Sequence, residues 1–249
     1  MIVMVTGATA GFGLEIARRF AGDGARIVAL GRRADRLDAL VREYGEGQIY
    51  PVVADIRDGA AVAAAVAGLP PAFAEIDILV NNAGLAKGIG PAQTASLDDW
   101  EVMVDTNIKG MLYVTKAVLP GMVVRGRGHI INLGSIAGEF PYPGGNVYGG
   151  TKAFLHQFSN NLRADLFGTP VRVTNIEPGM VGGTEFTNVR LGDDAKAAAF
   201  YAGADALLPQ DIAEAVHWAA SLPARVNINH IQMMPVCQAY GPLPIHRNG

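Results

Sequence analysis

Thiol is nearly absent from this 249-residue chain, which carries one cysteine, Cys237. That excludes an intramolecular disulfide and any multi-cysteine metal centre, and Cys237 reads as a small apolar filler. The five histidines, at 129, 156, 217, 230 and 246, show no H-x-x-x-H spacing, so no metal site is expected. Charge is sparse too. Charged residues make up 17% and the net charge is -3 with no basic run, which speaks against nucleic-acid binding. No apolar run approaches the length of a membrane span, and residues 1–5 are too short for a signal-peptide core and lack a basic leader. The expectation is a cytoplasmic protein whose partner is a small molecule, with neither membrane nor nucleic acid involved.

Apolar residues are plentiful at 50%, and there are 31 glycines. Such a chain can bury a sizeable core. Many of the glycines fall where a strand pattern gives way to a helix pattern. Short apolar runs predict strands over 2–5, 26–30, 49–53, 78–80, 129–133, 171–176 and 231–234. Helical periodicity predicts helices over 13–23, 34–44, 58–69, 96–107 with continuation to 124, 147–166 and 209–221. Ser96 to Asp99 resembles a capping box, Pro120 predicts a kink, and Leu208 is a poor N-cap for the helix opening at Pro209. Strict alternation implies an α/β fold: a doubly wound parallel sheet with right-handed crossovers and helices on both faces. No linker-like run divides residues 1–249, so one domain is expected. The longest irregular stretch, about 179–195, reads as a substrate loop, and 236–249 as a C-terminal tail.

The first strand runs into Thr6-Gly7-Ala8-Thr9-Ala10-Gly11-Phe12-Gly13. Glycine there lets backbone approach a pyrophosphate, and the following helix offers unpaired N–H groups and a favourable dipole. Gly7, Thr9, Ala10, Gly11, Phe12 and Gly13 are therefore candidate dinucleotide contacts. The second strand ends Leu30-Gly31-Arg32-Arg33. An acidic residue at that point would accept hydrogen bonds from the ribose of NAD, whereas Arg32 and Arg33 suit the extra phosphate of NADP.

A second constellation lies between Ser135 and Lys152. Tyr148 and Lys152 are four apart, so on a helix they share a face, and a neighbouring ammonium would favour the phenolate. Ser135 adds a hydroxyl able to bond a substrate oxygen. A Tyr-x-x-x-Lys pair alone arises by chance in about one shuffled chain in seven; its context carries the weight.

That context is the order of the glycine loop, Asn81-Asn82-Ala83-Gly84, Asn107, Ser135, Tyr148, Lys152 and Pro178-Gly179. The whole chain thereby resembles the classical short-chain dehydrogenases/reductases. The resemblance implies a Rossmann fold of about seven parallel strands, NADP as cofactor, and a homo-oligomer, dimer or tetramer, packed through two long central helices. It implies Tyr148 as general acid/base, Lys152 on the nicotinamide ribose and lowering the tyrosine pKa, Ser135 on the carbonyl, and Asn107 holding a water that links Lys152 to solvent. Asp55 and Ile56 would meet the adenine, and Asn81, Asn82, Ala83 and Gly84 the adenosine side. Pro178, Gly179, Val181, Thr184 and Glu185 would complete the cofactor site.

The flanking segments Gly144-Gly145-Asn146-Val147-Tyr148, Glu177 to Phe186 and Asn227 to Val236 resemble, more narrowly, the NADP-dependent 3-hydroxy acid dehydrogenases. Members of that group oxidise serine and L-allo-threonine and reduce malonic semialdehyde. A sister group that reduces sulfoacetaldehyde shares much of the scaffold, as do broad small-ketone reductases, and some proteins of such folds are noncatalytic NADPH-binding regulators. An anionic substrate calls for a cation, and arginine is the better fork for a carboxylate. Arg190 in the long loop and Arg247 in the tail are the candidate anchors.

Overall fold

A computed structural model gives the fold and describes residues 1–240. Arg247 therefore lies outside the described residues. Seven strands form one wholly parallel sheet: β1 (Ile2–Thr6), β2 (Arg26–Gly31), β3 (Ile49–Val53), β4 (Ile78–Asn81), β5 (Gly128–Leu133), β6 (Val171–Pro178) and β7 (His230–Met233). Their spatial order is β3-β2-β1-β4-β5-β6-β7. The order reverses beside β1, so connections leave β1 and β4 to opposite sides and open a crevice at the carboxyl ends of the strands.

The sheet is buried on both faces, which is why its strands read as continuous apolar runs rather than alternating ones. Val3 and Val5 face one core, packed by Ile16 and Phe20 of α1 (Gly11–Gly22), Leu37 and Leu40 of α2 (Ala34–Tyr44), and Ile212 and Val216 of α10 (Pro209–Ser221). Ile2 and Met4 face the other. There they meet Val62 of α3 (Gly59–Ala67), Phe73 of α4 (Pro71–Ala74), Val114, Val118 and Met122 of α6 (Met111–Arg125), and Leu162 of α7 (Asn146–Asp165). The remaining helices are α5 (Leu97–Val104), α8 (Phe186–Leu191) and α9 (Asp194–Tyr201). Among the described residues, no helix is long and apolar enough to cross a membrane.

Three departures from expectation have physical causes. The helix expected over 96–107 ends at Val104, and a π-helical turn, Asp105–Gly110, joins it to α6. A wider turn of this kind rotates side chains out of the α-helical register, and Asn107 sits inside it. The stretch expected to be irregular carries α8 and α9, the latter started by Asp193, whose side chain accepts from Lys196 N. β6 runs two residues further than expected because Glu177 and Pro178 pair with Gln232 and Met233 of β7. Leu208 lacks a capping side chain, yet its own N–H donates to Asp211 Oδ2 at 2.7 Å, which secures the start of α10.

His129, on β5, is 1% exposed and lies 2.7 Å from Thr174 Oγ1 through Nε2. Thr174 already donates to the Ile228 carbonyl, so the imidazole donates to Thr174. Burial, helped by the nearby Arg172 cation, pushes its pKa down to about 3. The unfolded chain, with an ordinary histidine pKa of about 6.5, binds this proton first. The native state thus gains from a neutral His129 above pH 6.5, and the gain is lost as pH falls from there toward about 3, at about 1.4 kcal/mol per unit. Urea unfolding should show wild type losing about 2 kcal/mol more than His129→Leu between pH 7 and pH 5.

Candidate active site

The crevice is a cleft of about 350 Å³ lined by the glycine turn, the ends of β2 and β4, Tyr148, Lys152 and the segment before α8. At its floor β1 ends in Thr6 and the chain turns through Gly7 and Gly11, both at positive φ. A Cβ on Gly7 would come within 2.9 Å of Asn82 Nδ2, so this position needs glycine on two counts. Gly13 has a different task. A Cβ there would run into the Gly7 carbonyl, so Gly13 lets α1 pack onto β1 and does not line the cleft. The turn is braced by Thr6, whose hydroxyl donates to Val80 O and accepts from Asn82 N and Ala83 N at 3.0 Å each. Asn82 returns a bond from Nδ2 to Thr6 O at 2.8 Å. Sequence reasoning missed Thr6 as a positioning residue, because the strand reading used only its place at the end of an apolar run.

At the adenosine end, Thr9, Arg32, Arg33, Asp55 and Ile56 line the cleft together. Gly31 is required here as well, since a Cβ would collide with the Thr9 methyl. Arg33 donates to Thr9 Oγ1 through Nε and Nη2, at 3.2 and 3.0 Å, and to Glu185 Oε2 at 2.8 Å. Arg36 pairs with the other oxygen of Glu185, also at 2.8 Å. The two guanidinium groups hold the Glu185 carboxyl below the usual carboxylate range. Arg36 was missed by sequence reasoning; its position two residues into α2, on the turn after Arg33, was the available signal. Asp55 is gripped by Arg57, which lowers its pKa, and Arg32 stands 3.9 Å away. This end fits a phosphorylated dinucleotide: a backbone cradle that side chains would fill, and three arginines around one mouth.

Asn81 does not face the cleft. Its amide donates to Thr115 Oγ1 and Asn132 Oδ1, both at 2.9 Å, and Asn132 donates in turn to Ser159. This buried polar chain ties β4 to β5, α6 and α7, because an amide enclosed by apolar side chains must find partners. Pro178, Gly179 and Val181 also stand behind the cleft wall: Pro178 pairs with Met233, Gly179 N donates to Met233 O, and Val181 bridges to Leu207. They lead the chain off the sheet toward Thr184, Glu185 and α8, which do line the cleft.

At the other end, α7 presents Tyr148 and Lys152 one turn apart, both buried. Lys152 Nζ donates to the Leu133 carbonyl at 2.6 Å and lies 5.9 Å from the Tyr148 ring centre. Burial pushes the lysine down to about 8, against the pull of Glu177. Burial also pushes the Tyr148 phenol up to about 12, outweighing the Ser135 hydroxyl and the Arg190 charge, which pull it down. The expected lysine-driven depression of the phenol is therefore not what this arrangement produces. Apolar neighbours dominate: Met103 and Ala86 cluster with Tyr148, and Phe186 lies 5.6 Å from its ring.

Asn107 is 2% exposed and its side chain is fully engaged. Oδ1 accepts from Leu85 N at 2.9 Å, while Nδ2 donates to Leu85 O at 2.8 Å and Thr151 Oγ1 at 3.0 Å. The amide clamps the Gly84-Leu85 edge of the cleft to α7.

Arg190, on α8, reaches back over Tyr148. Its guanidinium carbon is 5.4 Å from the centre of the Tyr148 ring and equally far from that of Tyr142. Nε donates to Gly88 O at 3.2 Å, and Nη2 to Tyr142 Oη at 2.9 Å and Gly144 O at 3.3 Å. Gly144 must be glycine, since it has a positive φ and a Cβ would strike the Ile89 carbonyl. One cation is thus fixed by two loops beside the buried phenol.

Comparison with known proteins agrees with this geometry. Residues 1–194 match the family model for short chain dehydrogenase. The chain is 60% identical over 249 residues to the NADP-dependent 3-hydroxy acid dehydrogenase YdfG of Salmonella typhi, covering all of both chains. It is 51% identical over 246 residues to the serine 3-dehydrogenase of Rhizobium radiobacter, covering 98% of each. Among solved structures, it superposes with a TM-score of 0.98 on the closed form of a serine dehydrogenase complexed with NADP+, at 59% identity and full coverage of both. The serine dehydrogenase from Escherichia coli gives a TM-score of 0.86 at 55% identity, covering 96% of this chain and 100% of that one.

Replacing Asn107 with Ala strands the Leu85 N–H and C=O and removes the bond that the Thr151 hydroxyl accepts. Thermal or urea unfolding should show a loss of about 2 kcal/mol, and turnover should fall more than cofactor affinity, because the edge it holds borders Lys152.

Proposed function

The chain belongs to the short-chain dehydrogenase family and is an NADP-dependent oxidoreductase, and on that premise we propose that it transfers hydride reversibly at the β-carbon of short 3-hydroxy acids such as serine, L-allo-threonine and 3-hydroxypropionate, the last formed from malonic semialdehyde. The observation that carries this reading is Arg190. A guanidinium held over Tyr148 by Gly88, Tyr142 and Gly144 suits a carboxylate a few bonds from the reacting carbon. Its Nη1 makes no hydrogen bond among the described residues. The names of the relatives, a 3-hydroxy acid dehydrogenase and a serine 3-dehydrogenase, support the 3-hydroxy acid class and serine within it.

NADP supplies the hydride acceptor or donor. Gly7, Gly11 and the first turn of α1 would cradle its pyrophosphate, Arg32, Arg33 and Arg36 its extra phosphate, and Lys152 its nicotinamide ribose. Ser135 orients the substrate oxygen. Tyr148 exchanges the proton at Oη, giving it to the substrate oxygen in reduction and taking it back in oxidation. Phe186 and Met103 exclude water from the phenol. Cytoplasmic operation and a homo-oligomer, dimer or tetramer, belong to the same reading. Exposed Tyr113, Val123 and Val124 on α6 support the oligomer.

Tyr148→Phe should lower kcat by about 10²–10⁴-fold while leaving the NADPH dissociation constant within about threefold. Residual turnover near wild type would remove Tyr148 from proton transfer.

Arg190→Met should raise KM for serine by about tenfold or more with KM for NADP unchanged; an unaltered serine KM would sink the anchor. The wild-type enzyme should turn over serine, L-allo-threonine and malonic semialdehyde with NADP(H) in preference to NAD(H), followed by nicotinamide absorbance. A preference for isethionate and sulfoacetaldehyde would instead mean that Arg190 receives a sulfonate.

A further inference from the structure

Away from the cleft, three side chains distant in sequence converge where α7, β6 and β7 meet. His156 lies one turn beyond Lys152 on α7, Glu177 near the end of β6, and His230 at the start of β7. His156 Nδ1 stands 2.8 Å from Glu177 Oε1, and His230 Nε2 stands 2.8 Å from Glu177 Oε2. All the ligand-capable atoms fall within 4.8 Å of one another. The imidazole rings are nearly perpendicular, at 87°, with centres 5.0 Å apart. Glu177 is fully buried, and Asn175 Nδ2 donates to its Oε1 at 2.7 Å.

The contact on the His230 side is not a directed hydrogen bond. Glu177 Oε2 and His230 Nε2 are both enclosed, and neither has a hydrogen-bond partner of acceptable geometry among the described residues, although they nearly touch. A buried carboxylate oxygen and a ring nitrogen left this way are costly. A cation that takes both lone pairs removes the cost. Two imidazoles and a carboxylate are a nitrogen-oxygen donor set of the zinc type. Bonds of about 2.0 Å give a tetrahedral edge of about 3.3 Å; the two nitrogen–oxygen contacts would open from 2.8 Å, and ligand atoms that lie within 4.8 Å of one another would gather around one ion. Asn175 holds the carboxylate from behind, the supporting bond that a ligating group needs. The histidine side chains are 33% and 30% exposed, which brings the cluster close to the surface.

We propose that His156, Glu177 and His230 form a binding site for a divalent cation of the Zn²⁺ class, clamping α7 to the β6–β7 edge of the sheet. None of its three side chains lines the cleft, although Glu177 is close enough to Lys152 to pull its pKa upward.

Full-length protein stripped with a chelator and titrated with Zn²⁺ should bind one equivalent per chain by calorimetry. At a hundredfold excess over Kd its Tm should rise by about 5–10 °C. His156→Gln and His230→Gln, both at partly exposed positions, should each weaken binding by about tenfold or more, whereas His217→Gln should bind as wild type does. Should either variant fail to fold, Co²⁺-loaded wild type still decides: two paramagnetically shifted imidazole N–H signals are expected, and fewer would overturn the site. Absence of saturable binding, or binding untouched by both histidine variants, would overturn it too and leave the trio as a hydrogen-bonded cluster.

Discussion

The bond from Lys152 Nζ to the Leu133 carbonyl, 2.6 Å long, fixes how far α7 stands from the end of β5. Everything at the catalytic end is measured from it. Tyr148 is one turn earlier on the same helix, and Ser135 is two residues after Leu133 on the same strand exit. A shift of α7 along its axis would part the phenol from the serine and empty the Thr151 end of the Asn107 clamp at once. A buried ammonium tolerates no loss of its acceptor, so the low-polarity surroundings that push its pKa down to about 8 also make the bond unforgiving.

Asn107 and Arg190 extend that reference point to the loops. The π turn between α5 and α6 aims the Asn107 amide at both Leu85 and Thr151, which no regular helical register between those elements would do. Arg190 comes from the far side of the cleft and closes onto Gly88 and Gly144. The phenol is thereby enclosed by groups that each depend on α7 being in place, and its raised pKa is the electrostatic signature of that enclosure.

Much of this was legible in residue order. Helices over 34–44 and 209–221 and the strand over 49–53 fall where apolar spacing put them, because both faces of a parallel sheet demand uninterrupted apolar runs. The glycine turn and the tyrosine-lysine turn were visible for the same kind of reason: each needs a residue type at a fixed offset from an element end. What could not be read were pairings that only the fold creates. Arg36 meets Glu185 across the cleft mouth, Asn107 meets Leu85 through an irregular turn, and His156 meets His230 through a buried glutamate on a third element. Helices α8 and α9 were hidden because they are short and lie in a segment punctuated by Gly182, Gly183 and Gly192. Asn81 misled because its neighbour Asn82 does line the cleft, while strand alternation turns Asn81 inward.

The double ion pair at Glu185 joins the two halves of the molecule's chemistry. Arg33 and Arg36 belong to the coenzyme's mouth, yet the carboxylate between them stands one residue before the helix that carries Arg190. In the proposed reading, coenzyme choice and substrate grip therefore share one anchoring carboxylate. Exchanging these arginines to recruit a non-phosphorylated coenzyme would also unfasten the near end of α8, so selectivity for one ligand and affinity for the other are not independent traits that selection or an engineer can tune one at a time.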